Sequence, residues 1–223
     1  EYNTLIQESK TKLDALTDLV KGRKTFESDI DKCVNWLKEA EVATSTDIRI
    51  SSLEVLEEQL AKYEKLGVES NNVDSDVRKI SEQAKAILPN VSESDQITLK
   101  ETLNNLKDRH NRIALIIKER TNDLKRNIQQ ISDAKARLAE SVAFVKEVQN
   151  QLHELNKPLG SRAEDVQHVL SAYERILKDV KADKAKLTVV PGATATELQS
   201  VINMQDDLIK SIEDQIAKLK QLA

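Results

Sequence analysis

His110 and Cys33 are the two side chains of this sequence from which chemistry would first be asked. His110 falls on an apolar seam of helical spacing, where an imidazole could ligate a metal or act as a pH switch. A metal site needs further His or Cys ligands at matching spacing, and His153 and His168 stand isolated and read as exposed. His110 therefore reads as an imidazole filling an aromatic-sized core position. Cys33 shares a helix face with Ile30 and Leu37 and reads as a small buried hydrophobe. A nucleophilic thiol would need cationic or helix N-terminal help and a partner base, and the sequence offers neither. The carboxylates follow surface spacing with lysines beside them, as in Glu57-Glu58 with Lys62 or Asp179 with Asp183 and Lys184. That is a solvated face, not an acid/base pair. Arg120, on the seam, reads as snorkelling or pairing with a carboxylate across a bundle, and Trp36 reads as a core anchor. There is no glycine-rich phosphate loop, nucleophile elbow or metal motif. The expectation is no enzyme, no catalytic residue, no metal and no cofactor.

The elements that place these residues are long helices. From Asn90 to Lys157 there is neither glycine nor proline. Over its first half Leu99, Leu103, Leu106, His110, Ile113, Ile117, Arg120 and Leu124 alternate four- and three-residue steps, which is an a/d seam. The seam goes on through Ile128, Ile131, Leu138, Val142, Val145, Leu152 and Leu155. A helix of about 60 residues is roughly 90 Å long at 1.5 Å per residue. That exceeds any compact domain this chain could build, so the helix must leave one bundle and enter the next.

Composition agrees with long packed helices. Among 223 residues 32% are charged, against four Gly, three Pro and 3% aromatics. The 34 basic and 38 acidic residues are interspersed, with no basic block to hold nucleic acid or an anionic membrane. A single cysteine excludes an internal disulfide and fits a reducing compartment. No run approaches the roughly 20 apolar residues of a membrane span, and no stretch reads as a signal peptide. The sequence opens inside what reads as a helix, so a fragment of something longer is expected.

In chain order, Tyr2, Leu5, Ile6, Leu13, Leu16, Leu19 and Val20 have helical spacing but no partner within the chain. Gly22 either kinks this helix or is carried through it. A seam of Ile30, Cys33, Leu37 and Ala40 follows and fades at Ala43, before a polar turn at Thr44-Ser45-Thr46-Asp47. Ser51-x-x-Glu54 is a capping box for the next helix, with a start capped by Asp47 as the alternative. Leu53, Leu56, Leu60, Tyr63 and Leu66 form its stripe. Gly67 to Asp76 has poor helix propensity and predicts a bent or locally weak helix. Pro89 ends it, and Ser92-x-x-Asp95 starts the long helix. Asn156-Lys157-Pro158-Leu159-Gly160 is a turn, Ser161-x-x-Glu164 a second capping box, and Pro191-Gly192 closes the helix it opens. Thr196-x-x-Gln199 opens the last helix, with Leu198, Ile202, Gln205, Ile209, Ile212, Ile216 and Leu219 as its seam.

The chain repeats internally. A shift of 108 lays Phe144 on Trp36 and Leu138 on Ile30; a shift of 110 lays Ser161 on Ser51, Leu170 on Leu60 and Tyr173 on Tyr63. A shift of 99 lays Ile202 on Leu103 and Ile212 on Ile113. The shifts differ as if the second unit had lost about two helical turns between Ile176 and Pro191. The expected domains are the end of a third helix (1–22), a three-helix unit at 23–128 (helices 23–43, 48–88, 93–128) and a second at 129–223 (helices 129–155, 161–187, 196–222). The expected core comprises Cys33, Trp36, Leu60, Tyr63, Leu106, His110, Ile113, Ile117, Leu138, Phe144, Leu170, Tyr173, Ile202, Ile209 and Ile212. The expected caps are Ser51, Ser92, Ser161 and Thr196.

At Trp36-Leu37, Leu60-x-x-Tyr63 and Leu106-x-x-Arg109-His110-x-x-Ile113 the chain resembles the spectrin-repeat superfamily, over its whole length. It departs where Phe144 replaces the first-helix tryptophan and where His110 and Ile209 replace the third-helix aromatic. In that divergence it is more similar to the rods of nesprins, dystrophin or spectroplakins than to spectrin, and nesprin is preferred. The resemblance implies an all-α elongated rod of two tandem antiparallel three-helix bundles joined by a continuous helix. It implies a structural role, spacing and transmitting tension in a cytoskeletal linker, with Gly22 making the first junction softer than the second around Ile128 to Ala134. Its partners would be other segments of the same giant protein, and actin-associated cytoskeletal proteins reached through regions outside this sequence, with no nucleic acid and no direct membrane contact. Its place would be the cytoplasm, on the cytoskeleton, or the outer nuclear membrane through an anchor absent here. Two other readings are a helical docking scaffold and a BAR-like membrane-bending module. The latter predicts a basic concave face and no internal period.

Overall fold

Gly22 is carried through its helix without a break. In the computed structural model, which describes residues 1–157 and 163–222, helix α1 runs from Tyr2 to Ala43. Helices α2 (Leu53–Ile87), α3 (Glu93–Leu155), α4 (Ala163–Lys186) and α5 (Ala195–Leu222) follow, with a 3-10 turn at Leu88–Asn90 where Pro89 ends α2. No strand occurs among the described residues. The Gly67–Asp76 stretch stays helical inside α2, so tertiary contacts override its weak propensity.

The chain divides into two compact units, Glu1–Lys125 and Arg126–Ala223. In the first, the end of α1 meets the start of α2, where Lys62 Nζ donates to the Ala43 carbonyl at 3.1 Å. Farther back, Trp36 pairs with Glu69, and His110 of α3 with Ser70. With Arg120 of α3 at Tyr63, these pairings make α2 antiparallel to both α1 and α3. Phe26, Cys33, Leu37 and Ala40 face Leu56, Tyr63, Val73, Val77, Ile80 and Ala84 across the core, with Leu103, Leu106, Ile113, Ile117 and Leu124 from α3. Residues 1–25 of α1 are exposed throughout, including the large apolar side chains from Tyr2 to Val20.

In the second unit the last half of α3 packs with α4 and α5. Val145, Val148, Leu170, Tyr173, Val180, Leu208 and Ile212 form one cluster, and Leu138, Leu187 and Val201 another. Helix α4 is antiparallel to α5, as ion pairs of Lys184 with Asp206 and Lys181 with Glu213 require. The internal repeat reappears as burial. Ala134, Ser141, Val145 and Val148 are buried in α3, and 108 residues earlier Phe26, Cys33, Leu37 and Ala40 are buried in α1. Helix α2 has 35 residues and α4 has 24, and both start at equivalent positions. The second unit is thus shorter by eleven residues at that helix's far end, three turns rather than two.

Two start signals move. The cap of α2 is Ser52, whose Oγ accepts from Val55 N, not Ser51. Residues 47–52 are non-helical, so the helix begins five residues later than 48. The cap of α5 is Thr194, accepting from Glu197 N at 3.1 Å, not Thr196. In each case a second hydroxyl stands one or two residues away, and the turn geometry selects between them. Ser92 accepts from Asp95 N at 3.2 Å. Ser161 and the Pro158–Gly160 turn lie outside the described residues.

Candidate functional site

Three polar clusters sit among the described residues of the bundles. The first gathers Ser70, Asp74 and His110. Ser70 comes from the polar stretch of α2, one turn before Asp74, and His110 from the facing seam of α3. Ser70 Oγ lies 3.1 Å from His110 Nε2, and Asp74 Oδ1 lies 4.0 Å from Nδ1. The order resembles a nucleophile, base and acid, but the bonding contradicts it. His110 Nε2 is also 2.9 Å from the Ser70 carbonyl. A carbonyl can only accept, so Nε2 carries the hydrogen and cannot take one from Ser70 Oγ. The 4.0 Å separation from Asp74 is too long for a hydrogen bond, and Asp74 instead meets Arg78 at 3.1 Å. Ser70 and His110 are themselves buried, at 4% and 5% exposure. Beside them Trp36 Nε1 donates to Glu69 Oε2 at 3.0 Å, with its ring 6.5 Å from His110. This cluster fastens helices together.

The second cluster centres on Arg120. Its Nη1 lies within hydrogen-bond reach of the Thr44 and Thr46 carbonyls and of Tyr63 Oη, the last at 2.7 Å. The guanidinium also lies 5.8 Å from the Tyr63 ring centre, and Nη2 reaches Asp47 at 3.4 Å. Arg120 thus pairs with a carboxylate from the α1–α2 loop, as its seam position suggested, and also binds loop carbonyls and a phenol. Nearby, Arg109 Nε donates to Glu41 at 2.8 Å and holds that carboxyl below its usual range.

The third cluster crosses the second unit. Arg137 donates to Ser141 Oγ at 2.7 Å and to Asp183 Oδ1 at 3.1 Å, while Gln205 Nε2 donates to Asp183 Oδ2 at 2.9 Å. Gln205 Oε1 is buried with no partner. One side chain from each of α3, α4 and α5 meets at a single level. Sequence reasoning missed this layer; its signal was Gln205 on an otherwise apolar seam.

The remaining expected core residues divide by depth. Cys33, Tyr63, Leu106, His110, Ile113, Ile117, Leu138, Leu170, Tyr173 and Ile212 are buried; Trp36, Leu60, Phe144, Ile202 and Ile209 are half-buried. In α5 the buried positions are Val201 and Leu208 rather than Ile202 and Ile209. Both residues of each pair are apolar, and the helix turns the first of each inward. His153 and His168 are exposed. Burial, then the nearby Asp76 and Asp29 carboxylates, push the Cys33 thiol up to about 11, and burial raises Tyr173 above its ordinary value. Among the described residues no three His, Cys, Asp or Glu side chains converge as a metal site. No described helix is long and apolar enough to cross a membrane.

Residues 21–126 match the Spectrin repeat family, a span that takes in the three-helix core of the first unit and ends within one residue of its boundary. Over these residues the chain is similar to the spectrin-repeat family. It is also 46% identical over 222 residues to Muscle-specific protein 300 kDa of Drosophila melanogaster, covering 100% of this chain and 2% of that protein. The chain therefore spans a small fraction of the relative's length. No solved structure matches. The three clusters have one reading in common, since each closes polar contacts within its own bundle.

Proposed function

We propose that this chain is a load-bearing structural segment of a long cytoskeletal spectrin-repeat protein, spacing and transmitting tension between distant end domains. The observation that carries it is α3, whose 63 residues run from Glu93 to Leu155 and supply core side chains to each unit in turn. A pull on such a helix is passed along its own hydrogen bonds rather than through a loop. We assign a second repeat to residues 129–223, on the burial pattern shared with the first. Residues 1–22 take the role of the end of a third helix, because Tyr2, Leu5 and Leu16 stand 108 residues before the buried His110, Ile113 and Leu124. Partners are then neighbouring segments of the same protein and, through regions outside this sequence, actin-associated proteins. The setting is the cytoplasmic cytoskeleton, of muscle as in the relative's name. Tethering of nuclei, as in nesprins, is the finer form of this reading. Catalysis has no part in this reading, which is supported by the wiring of the Ser70, His110 and Asp74 grouping against proton transfer.

Force spectroscopy on the 223-residue chain, held at its two ends, tests this. The expected trace has two unfolding events, each adding on the order of 300 Å for about 100 residues at 3.3–3.6 Å apiece. Smooth extension without peaks would remove the load-bearing role. Sedimentation with anionic vesicles would instead support the membrane-bending alternative.

A further inference from the structure

From Thr46 to Ser51 the α1–α2 loop has no backbone-to-backbone hydrogen bond; the last before it is from Ser45 N and the next is from Leu56 N. Side chains hold it instead. From α2, Gln59 pairs with both backbone groups of Arg49, accepting from its amide and donating to its carbonyl at 2.8 Å each. From α3, Arg120 binds the carbonyls of Thr44 and Thr46 and the Tyr63 hydroxyl. Arg120 is 76 residues from Thr44 in sequence, so this contact exists only while α3 is wound at that turn.

We propose that Arg120 is a latch that makes the order of the 44–50 loop depend on the winding of α3. If the turn around residue 120 opens, the guanidinium leaves, two carbonyls lose their donor and the Tyr63 hydroxyl is uncovered. The device is specific to the first unit, because a shift of 99 places the buried Leu219 at the equivalent position. It needs no assumption about load, and it stands or falls apart from the mechanical role.

The Arg49 amide is the reporter, since its protection comes from Gln59 and not from a helix. Lys118 is exposed on α3, and Lys118→Gly loosens that turn by about fivefold, from the roughly 1 kcal/mol glycine penalty. Exchange at Arg49, followed by NMR on the whole chain, should rise about fivefold in Lys118→Gly. In an Arg120→Ala background, already faster, the same change should add less than about 1.5-fold. An equal factor in both backgrounds, or no change at Arg49 when Arg120 is present, overturns the latch. Trp36 fluorescence checks that the unit remains folded. If Arg120→Ala unfolds it, Arg120→Met keeps the aliphatic stem and gives the same comparison.

Discussion

Ser70 meets His110 with two oxygens at one nitrogen: its carbonyl at 2.9 Å and its hydroxyl at 3.1 Å from Nε2. The carbonyl fixes the ring hydrogen on Nε2, so the imidazole is a donor to the backbone of α2 and a filler of the core. A helix-to-helix tie through a backbone carbonyl survives loss of the serine side chain. Loss of the histidine removes both the tie and the volume.

Ser70→Ala should therefore change the stability of the first unit by less than about 1 kcal/mol, the lost hydroxyl contact being offset by alanine's helix propensity. His110→Ala should cost about 2–4 kcal/mol through the cavity and the lost donor. Urea unfolding read at Trp36, the single tryptophan and 6.5 Å from the imidazole, separates the two. Equal costs would mean that the hydroxyl, not the carbonyl, carries the contact.

Cys33 should resist alkylation. With 2% exposure and a thiol pushed up to about 11, it holds little thiolate at pH 8, and thiolate is the reactive form. Iodoacetamide should label it slowly in the native chain and quickly in urea. The linkage has a definite sign. The folded thiol keeps its proton between its ordinary 9.0 and about 11, while the unfolded one loses it. The contribution to stability is full below pH 9 and falls as pH rises through that window. Cys33→Ser should remove that part of the alkaline decline.

The long helix and the repeat were legible because both rest on apolar periodicity, which burial follows directly. Phe26 and Ala134 differ in size, yet both are apolar and both are buried, 108 residues apart. Choices between adjacent residues of like character were not legible. Ile202 and Val201 are both apolar, as are Ile209 and Leu208, so two seams fit α5 equally well until its neighbours are placed. Ser51 carries the capping-box pattern with Glu54, yet its neighbour Ser52 is the cap. The weak stretch Gly67–Asp76 stays helical because Glu69, Ser70 and Asp74 spend their polar groups on Trp36, His110 and Arg78. Arg120 does find a carboxylate, Asp47, but its further partners are backbone carbonyls, which leave no mark in a sequence.

The Arg137–Asp183–Gln205 layer should behave as a register device rather than a source of stability. Asp183→Ala strands the half-buried Arg137 guanidinium and should cost about 1–3 kcal/mol, discounted for its partial exposure. Replacing Arg137, Asp183 and Gln205 together with leucine should restore stability to at least the natural level, because no charge is then left unpaired. Denaturant unfolding with amide exchange across Val169–Val180 reads the second unit. A triple variant weaker than Asp183→Ala would show that the layer holds the bundle together on its own account.

Three glycines should respond in opposite directions to the same methyl group. Gly22 lies inside α1 with nothing within 4 Å of an added Cβ, and at Gly67 the nearest atom is Ile117 Cγ2 at 3.7 Å, an ordinary contact. Gly22→Ala and Gly67→Ala should each stabilise by about 0.5–1 kcal/mol, from helix propensity alone. Gly192 is different. It holds φ 89° in the turn after Pro191, and its Cβ would come within 2.5 Å of the Gln130 carbonyl oxygen on the backbone of α3. Left-handed strain alone costs an alanine there about 1–2 kcal/mol, and the loop must also move, so Gly192→Ala should destabilise the second unit by more than that. Thermal unfolding gives the three signs. Amide exchange adds a finer check: Lys21–Arg23 should exchange faster than 128–134, and Gly22→Ala should narrow the gap. Faster exchange at 128–134 in the natural chain would remove Gly22 as the softer point.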